Sequence, residues 1–253
     1  MSALQNRKKK YLSNAEVSCF KTDPAAWYMQ YVLGIRGGSQ AKFERGKSVE
    51  KAIEFYLKEE FADADDAVEF CIKDFNRSTA LGYPSDDREK ELKNLDGYVR
   101  QGIEAFKDFG AIQSTQDKIM FDFDGVPIPI QGYDDFRFLK DGKLYSIDLK
   151  TTERCPKDAI LPYHQMQAAI YASGLPDHII QFCYVTPKKF AVHEMTKEEA
   201  NQHMVEFVQI VKRIDKYLAM DAQEIPEFLV PDYSNFYWSD KNMREEAERI
   251  FGF

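Results

Sequence analysis

The chain has 253 residues, 44% of them apolar, with 19 Phe and 14 Tyr, enough for one large domain or a domain with a small helical annex. Its net charge of −8 argues against a protein that coats nucleic acid through bulk positive charge, while leaving room for a local basic groove. No apolar run is long enough to cross a bilayer, and "MSALQNRKKKYLS" carries basic residues with no apolar segment behind them. The expectation is a soluble, cytoplasmic protein with no membrane partner.

The first third reads as helical. Ser13 is a candidate helix cap, and "TDPAAWYMQYVLG" (22–34) has Asp23 as N-cap, Pro24 in the first turn and Gly34 as stop. "IRGGSQ" (35–40) is a flexible joint. "AKFERGKSVEKAIEFYLKEEF" (41–61) repeats apolar residues at helical spacing through Val49, Ile53 and Tyr56/Leu57. Two more helices are expected at 63–82 and 86–110.

The pattern then becomes extended. Residues 112–123 and 126–132 read as strands, and 133–139 and 143–151 flank Asp141-Gly142, a two-residue hairpin signal. "PYHQMQAAIYASG" (162–174) reads as a helix, 178–185 and 189–195 as strands, and 196–220 as a helix with Thr196 and Glu199 in a capping-box pattern. A loop-rich tail and a last charged helix follow. One domain over 1–253 is the simplest reading: a mainly helical part (1–110), a sheet core (111–195) and C-terminal helices (196–253). The order implies an α/β fold with a mixed sheet flanked by helices.

With Asp141-Gly142 as the loop, paired hairpin positions follow from Lys140 opposite Lys143, and Asp135 falls opposite Asp148. Directly paired side chains share a face, with Cβ atoms about 4.5–5.5 Å apart. Lys150, Arg137 and Ser146 join that face, while Phe136, Phe138, Tyr145, Ile147 and Leu149 take the other. Strict alternation turns Asp134 away and favours Asp135; a one-residue slip or bulge would swap them. Two carboxylates forced together must share a proton, pair with a cation or bind a metal. Oxygen ligands without His or Cys suit Mg²⁺ or Mn²⁺, and an adjacent lysine could orient or deprotonate a water for phosphodiester hydrolysis. Ordinary charge pairing on a solvated hairpin is the other reading of the same spacing. Cys19, Cys71, Cys155 and Cys183 lie far apart, with no C-x-x-C pair, so reduced structural thiols are expected rather than a zinc or iron–sulfur site.

Three motifs stand in order: Gly132-Tyr133-Asp134-Asp135 (G-x-x-D), Asp148-Leu149-Lys150 (D-x-K, continuing into Thr151) and Gln167 to Tyr171 (Q-x-x-x-Y). Together they resemble the PD-(D/E)XK nuclease superfamily, specifically its RecB-like exonuclease branch, which includes phage enzymes and the mitochondrial genome-maintenance exonuclease. The motifs cover about 40 residues, and the helical opening from Leu12 to Gly34 extends a looser likeness.

The resemblance implies a restriction-endonuclease-like core and a Mg²⁺- or Mn²⁺-dependent deoxyribonuclease, an exonuclease first, with an endonuclease or a catalytically silent DNA-binding protein of the same fold as the alternatives. Its substrate would be DNA with a free end, in recombination, repair or replication, in a bacterial or phage-infected cell, with a helicase or recombination partner. It implies Asp135, Asp148 and the backbone carbonyl of Leu149 as metal ligands. A further ligand on an upstream helix, after a glycine, falls on Glu50 following Gly46, with Glu44 and Glu54 as neighbouring alternatives. Lys150 would position or activate the attacking water, and Gln167 and Tyr171 would stand beside it. Iron–sulfur members carry one Cys near the start and three near the end; here Cys19 is alone, and no cluster is expected.

The remaining candidates line the same region. Thr151, Thr152, Arg154, Lys157, Lys188 and Lys189 could meet phosphates, His164 could do the same, and Tyr163 or Phe190 could stack on bases. "NRKKK" (6–10) reads as a tail or a DNA-binding arm, and Phe236-Tyr237-Trp238 as a pin holding the C-terminal tail.

Overall fold

The computed structural model of the chain describes residues 2–252. In chain order it runs α1 (Ala3–Asn6), β1 (Leu12–Ser13), α2 (Asn14–Thr22), α3 (Pro24–Trp27), α4 (Ala41–Leu57), α5 (Ala64–Ser78), α6 (Ser85–Leu92) and α7 (Leu95–Phe106). Strands β2 (Ile112–Phe121), β3 (Ile130–Lys140) and β4 (Lys143–Thr151) follow, then α8 (Pro162–Gly174), β5 (His178–Val185), β6 (Phe190–Glu194), α9 (Lys197–Ala219) and α10 (Lys241–Phe251). Among the described residues six strands form one mixed sheet in the order β1-β3-β4-β5-β6, with β2 also paired to β3.

The chain divides into two compact units. The first comprises Met1–Gly38, Ile119–Gly132 and Glu198–Phe253. Ser13 caps α2 by accepting from the Glu16 N–H, and Asp23 caps α3 by accepting from the Ala26 N–H at 2.9 Å. Asp23 also accepts from the indole N–H of buried Trp238 at 2.6 Å, which fixes the tail by its indole. The helix expected through Gly34 does not stay regular: after Trp27 it widens into a π-helical turn over Tyr28–Val32, closed by Leu33 N–H to the Tyr28 carbonyl. The basic segment 6–10 is anchored rather than free, with Arg7 donating to the Leu218 carbonyl and Lys9 2.7 Å from Glu16.

The second unit comprises Ser39–Lys118 and Tyr133–Lys197. Its core joins Val49 and Ile53 of α4, Phe75 of α5, and Tyr98 and Phe106 of α7 to Phe136, Phe138, Ile147 and Leu149 of the hairpin. Phe106 stands 5.1 Å from Phe136 and 5.6 Å from Phe138, ring to ring. Each such burial contributes roughly 1.5–3 kcal/mol, so the greasy face of the hairpin fixes α4 against the sheet. The helix expected at 86–110 is broken at Lys93 and Asn94 into α6 and α7. Gly97 on α7 lies against the chain at Pro187, where an added Cβ would stand 2.4 Å from the Pro187 carbonyl oxygen.

The hairpin closes as its sequence demands. Asp141 and Gly142 both take positive φ, 50° and 71°, as a two-residue primed turn requires. The register runs from Lys140↔Lys143 to Phe136↔Ile147. Strand β4 then pairs in parallel with β5, with α8 as the crossover helix between them.

Candidate active site

The site forms where the β3–β4 ladder ends. Beyond Phe136↔Ile147 the Leu149 N–H donates to Oδ2 of Asp135 at 2.7 Å. A side chain thus takes a strand donor, and the two aspartates of β3 escape strict alternation. Asp134, expected to turn away from Arg137 and Ser146, is bonded to both. Its carboxylate accepts from Arg137 Nε at 2.7 Å, from Arg137 Nη2 at 3.1 Å and from Ser146 Oγ at 2.8 Å. It is fully buried, so without the local irregularity Asp134 would face a greasy core unpaired.

Asp148, on β4, is 1% exposed. Its Oδ2 accepts from Gln167 Nε2 at 2.9 Å and lies 3.3 Å from the Tyr171 hydroxyl. Gln167 also donates to that hydroxyl at 2.6 Å, and the hydroxyl donates to the Tyr133 carbonyl. Four residues apart on α8, Gln167 and Tyr171 share one helix face, and the crossover sets that face on Asp148. Among the described residues, Oδ1 of Asp148 faces the Lys150 ammonium at 2.6 Å and no other donor. Lys150 also stands 5.6 Å over the Phe182 ring.

Glu50 reaches the same place from α4. Its Oε1 accepts from Gln116 Nε2 on β2, and the same nitrogen donates to Asp135 Oδ1 at 3.3 Å. The neighbouring alternatives are engaged elsewhere: Glu44 with Ser39, Lys47 and Tyr83, and Glu54 with Thr115 and Lys58.

The carboxylates disturb one another's protonation. Burial pushes the Glu50 carboxyl up to about 7, with the Asp148 charge adding to the rise. Asp135 is held well above the usual carboxylate range by burial and by the charges of Asp148 and Glu50. Asp148 is also raised by burial, against the opposing pull of Lys150. Burial acts to lower the Lys150 ammonium, yet Asp148 and Asp135 outweigh it and its pKa is raised. Lys150 is therefore a donor at neutral pH, suited to a phosphate oxygen or to orienting a water.

The surrounding candidates divide. Tyr163 is exposed at the start of α8, and His164 beside it is bonded through Nδ1 to the Tyr184 hydroxyl at 2.9 Å. Burial lowers the His164 imidazole to about 3, with Lys150 adding to the effect, so it is neutral. Thr151 is tied to Arg45, whose Nε donates to its hydroxyl and whose Nη2 donates to its carbonyl. Arg45 is buried, paired with Glu91 and set over the Tyr98 ring, and so holds the end of β4. Thr152 accepts through its hydroxyl from the Arg154 N–H, and the side chains of Arg154, Lys157, Lys188 and Lys189 are exposed. Sequence reasoning passed over Gln116 and Arg45. Their only signal is position, since nothing in their local composition separates them from surface residues.

Hard oxygen donors, a buried Asp148 Oδ1 met only by the Lys150 ammonium, and two carboxylate oxygens aimed at one nitrogen fit a divalent cation. Among the described residues no three His, Cys, Asp or Glu side chains are already gathered as a metal-holding group. A mixed sheet that brings carboxylates and a lysine to the open end of a hairpin places the chain in the class of PD-(D/E)XK-like α/β folds. A model of the PD-(D/E)XK nuclease superfamily matches residues 11–234, and the chain belongs to that superfamily, whose members typically use divalent metal ions. No curated protein matches the chain. Among solved structures, one titled "Crystal structure of SSO0001" aligns over 82% of each chain at 12% identity with a TM-score of 0.37. Among the described residues no helix is long and apolar enough to cross a membrane.

Proposed function

We propose that the chain is a Mg²⁺- or Mn²⁺-dependent exonuclease that hydrolyses phosphodiester bonds at DNA ends. The observation that carries this reading is the set of carboxylates around Lys150, buried Asp148 with half-buried Glu50 and Asp135, in which Oδ1 of Asp148 meets only that ammonium. Glu50, Asp135 and Asp148 would hold the cation, with the Leu149 carbonyl completing its shell. When bound, the cation supplies Lewis-acid charge at the scissile phosphate.

The chain's own residues do the rest. Gln167 and Tyr171 secure Oδ2 of Asp148 and leave Oδ1 to the Lys150 ammonium and a cation. The Leu149 N–H holds Oδ2 of Asp135 and directs Oδ1 toward Glu50 and Gln116. Lys150, kept charged by its acidic neighbours, donates to a non-bridging phosphate oxygen and orients the attacking water. Tyr163 offers a stacking surface, and Thr152, Arg154 and Lys188 offer donors to the strand, with His164 as a neutral partner for a phosphate oxygen. The preference for ends, and for a helicase or recombination partner, rests on the resemblance of the three motifs to the RecB-like branch.

The test is digestion of end-labelled linear and of circular DNA, single- and double-stranded, with Mg²⁺, Mn²⁺ or EDTA. The wild type should shorten linear DNA only with metal, and Lys150→Ala should lose about a hundredfold or more of that rate. Cutting of closed circles would replace the exonuclease reading with an endonuclease, and cleavage that survives EDTA would overturn the metal.

A further inference from the structure

Gln116 lies within β2, yet its φ is 53°, in the left-handed region that residues other than glycine seldom enter. The kink breaks the alternation of the strand. Two successive side chains reach α4: Thr115 donates to Glu54 at 2.7 Å and Gln116 donates to Glu50, one helical turn away. The next residue, Asp117, pairs with Arg137 at 3.1 Å. Backbone of this kind persists where surrounding contacts hold it, and here they aim one amide at two carboxylates.

That amide puts a single nitrogen at the point on which Glu50 Oε1 and Asp135 Oδ1 converge. The other oxygen of Asp135 is committed to the Leu149 N–H, so Oδ1 is the one left for a cation. An N–H donor and a cation compete for the same lone pairs. Gln116 is exposed, so its side chain has room to leave.

We infer that Gln116 is a positioning residue that keeps the seat of the cation: its amide bridges Glu50 and Asp135 in the metal-free protein and is displaced when a divalent cation enters. This rests on the metal-binding reading above. The amide relieves repulsion between the two acids without a metal, and it lowers cation affinity by the free energy of the bonds that must break. Linkage makes the two effects equal: whatever Gln116 adds to the stability of the metal-free protein, it subtracts from cation binding.

Gln116→Met keeps the length of the side chain and removes the donor; Gln116→Ala serves if the first variant does not fold. Calorimetric titration with Mn²⁺ and with Mg²⁺ gives affinity, and thermal unfolding with EDTA or saturating Mn²⁺ gives stability, neither depending on cleavage. The variant should bind Mn²⁺ about tenfold or more tighter, since one hydrogen bond to a charged group is worth about that much and the amide makes two, the one to Asp135 long at 3.3 Å. Its Tm should fall below the wild type in EDTA and match it in saturating Mn²⁺. Equal or weaker binding by the variant overturns the inference, as does failure of both variants to fold. If the wild type gives neither heat nor a Tm shift with either cation, the metal-binding reading fails and takes this inference with it; a wild type that binds beside a variant that binds no tighter sinks the inference alone.

Discussion

Asp134 and Asp135 are neighbours on one strand and meet opposite fates. Asp134 accepts from Arg137 through both oxygens and from Ser146, and none of its charge is left unanswered. Asp135 has one strand N–H and one shared amide, and faces two more carboxylates. A buried charge with a complete set of donors is part of the scaffold; one with an incomplete set waits for something else. The scaffold charge stands beside the waiting one, so the strand that holds Asp135 cannot shift without breaking the pairs of Asp134.

This contrast can be broken in graded ways. The largest effect falls on chemistry: Asp135→Asn should cost about a hundred- to a thousandfold in the metal-dependent digestion rate, measured at saturating DNA, while the protein stays folded. Next is Asp134→Ala, which strands Ser146 and leaves Arg137 with Asp117 alone. It should lose about 3 kcal/mol in urea unfolding, at the low end for a broken buried pair because Arg137 reaches solvent. A smaller effect of opposite sign sharpens the comparison. Without metal, Asp135→Asn should be more stable than the wild type by about 1 kcal/mol, since it removes a charge that neighbouring acids oppose. If both substitutions destabilise alike, the two aspartates are one structural unit and the distinction falls.

The smallest effect is a pH dependence. Glu50 holds its proton more tightly when folded, at about 7, than at its ordinary 4.5. Its contribution to stability is therefore full below 4.5 and is lost as the pH rises through about 7. Metal-free protein should lose Tm across that window, and Glu50→Gln should flatten the profile.

Much of this was legible in the sequence because hairpin registers are arithmetic. Asp141-Gly142 sets the pairing from Lys140↔Lys143 through Phe136↔Ile147, and the alternation of Phe136 and Phe138 names the buried face. The helix carrying Gln167 and Tyr171 runs from Pro162 to Gly174 as its ends signal. What escaped is where the backbone leaves its period. The loss of alternation at Asp134–Asp135, the left-handed Gln116 inside β2 and the π-helical turn at Tyr28–Val32 depend on tertiary partners rather than on neighbours in sequence. The two-residue strand Leu12–Ser13 was invisible for the same reason, its parallel partners being Ile130 and Gln131. Strict alternation therefore cannot reveal Gln116 as a contact of the acids, and it puts Asp134 on the face away from Arg137 and Ser146.

The four cysteines bear on how the protein opens. All are free and buried, Cys19 in the first unit and Cys71, Cys155 and Cys183 in the second. Burial raises the thiols of Cys19 and Cys71 to about 12, so alkylating reagents meet neither an exposed sulfur nor a thiolate. Labelling then has to wait for local or global opening, and each modified site becomes a timestamp. Mass-resolved alkylation of Cys19 against Cys71 is a clock supplied by the protein itself: equal rates mean the two units open as one event, and unequal rates rank them.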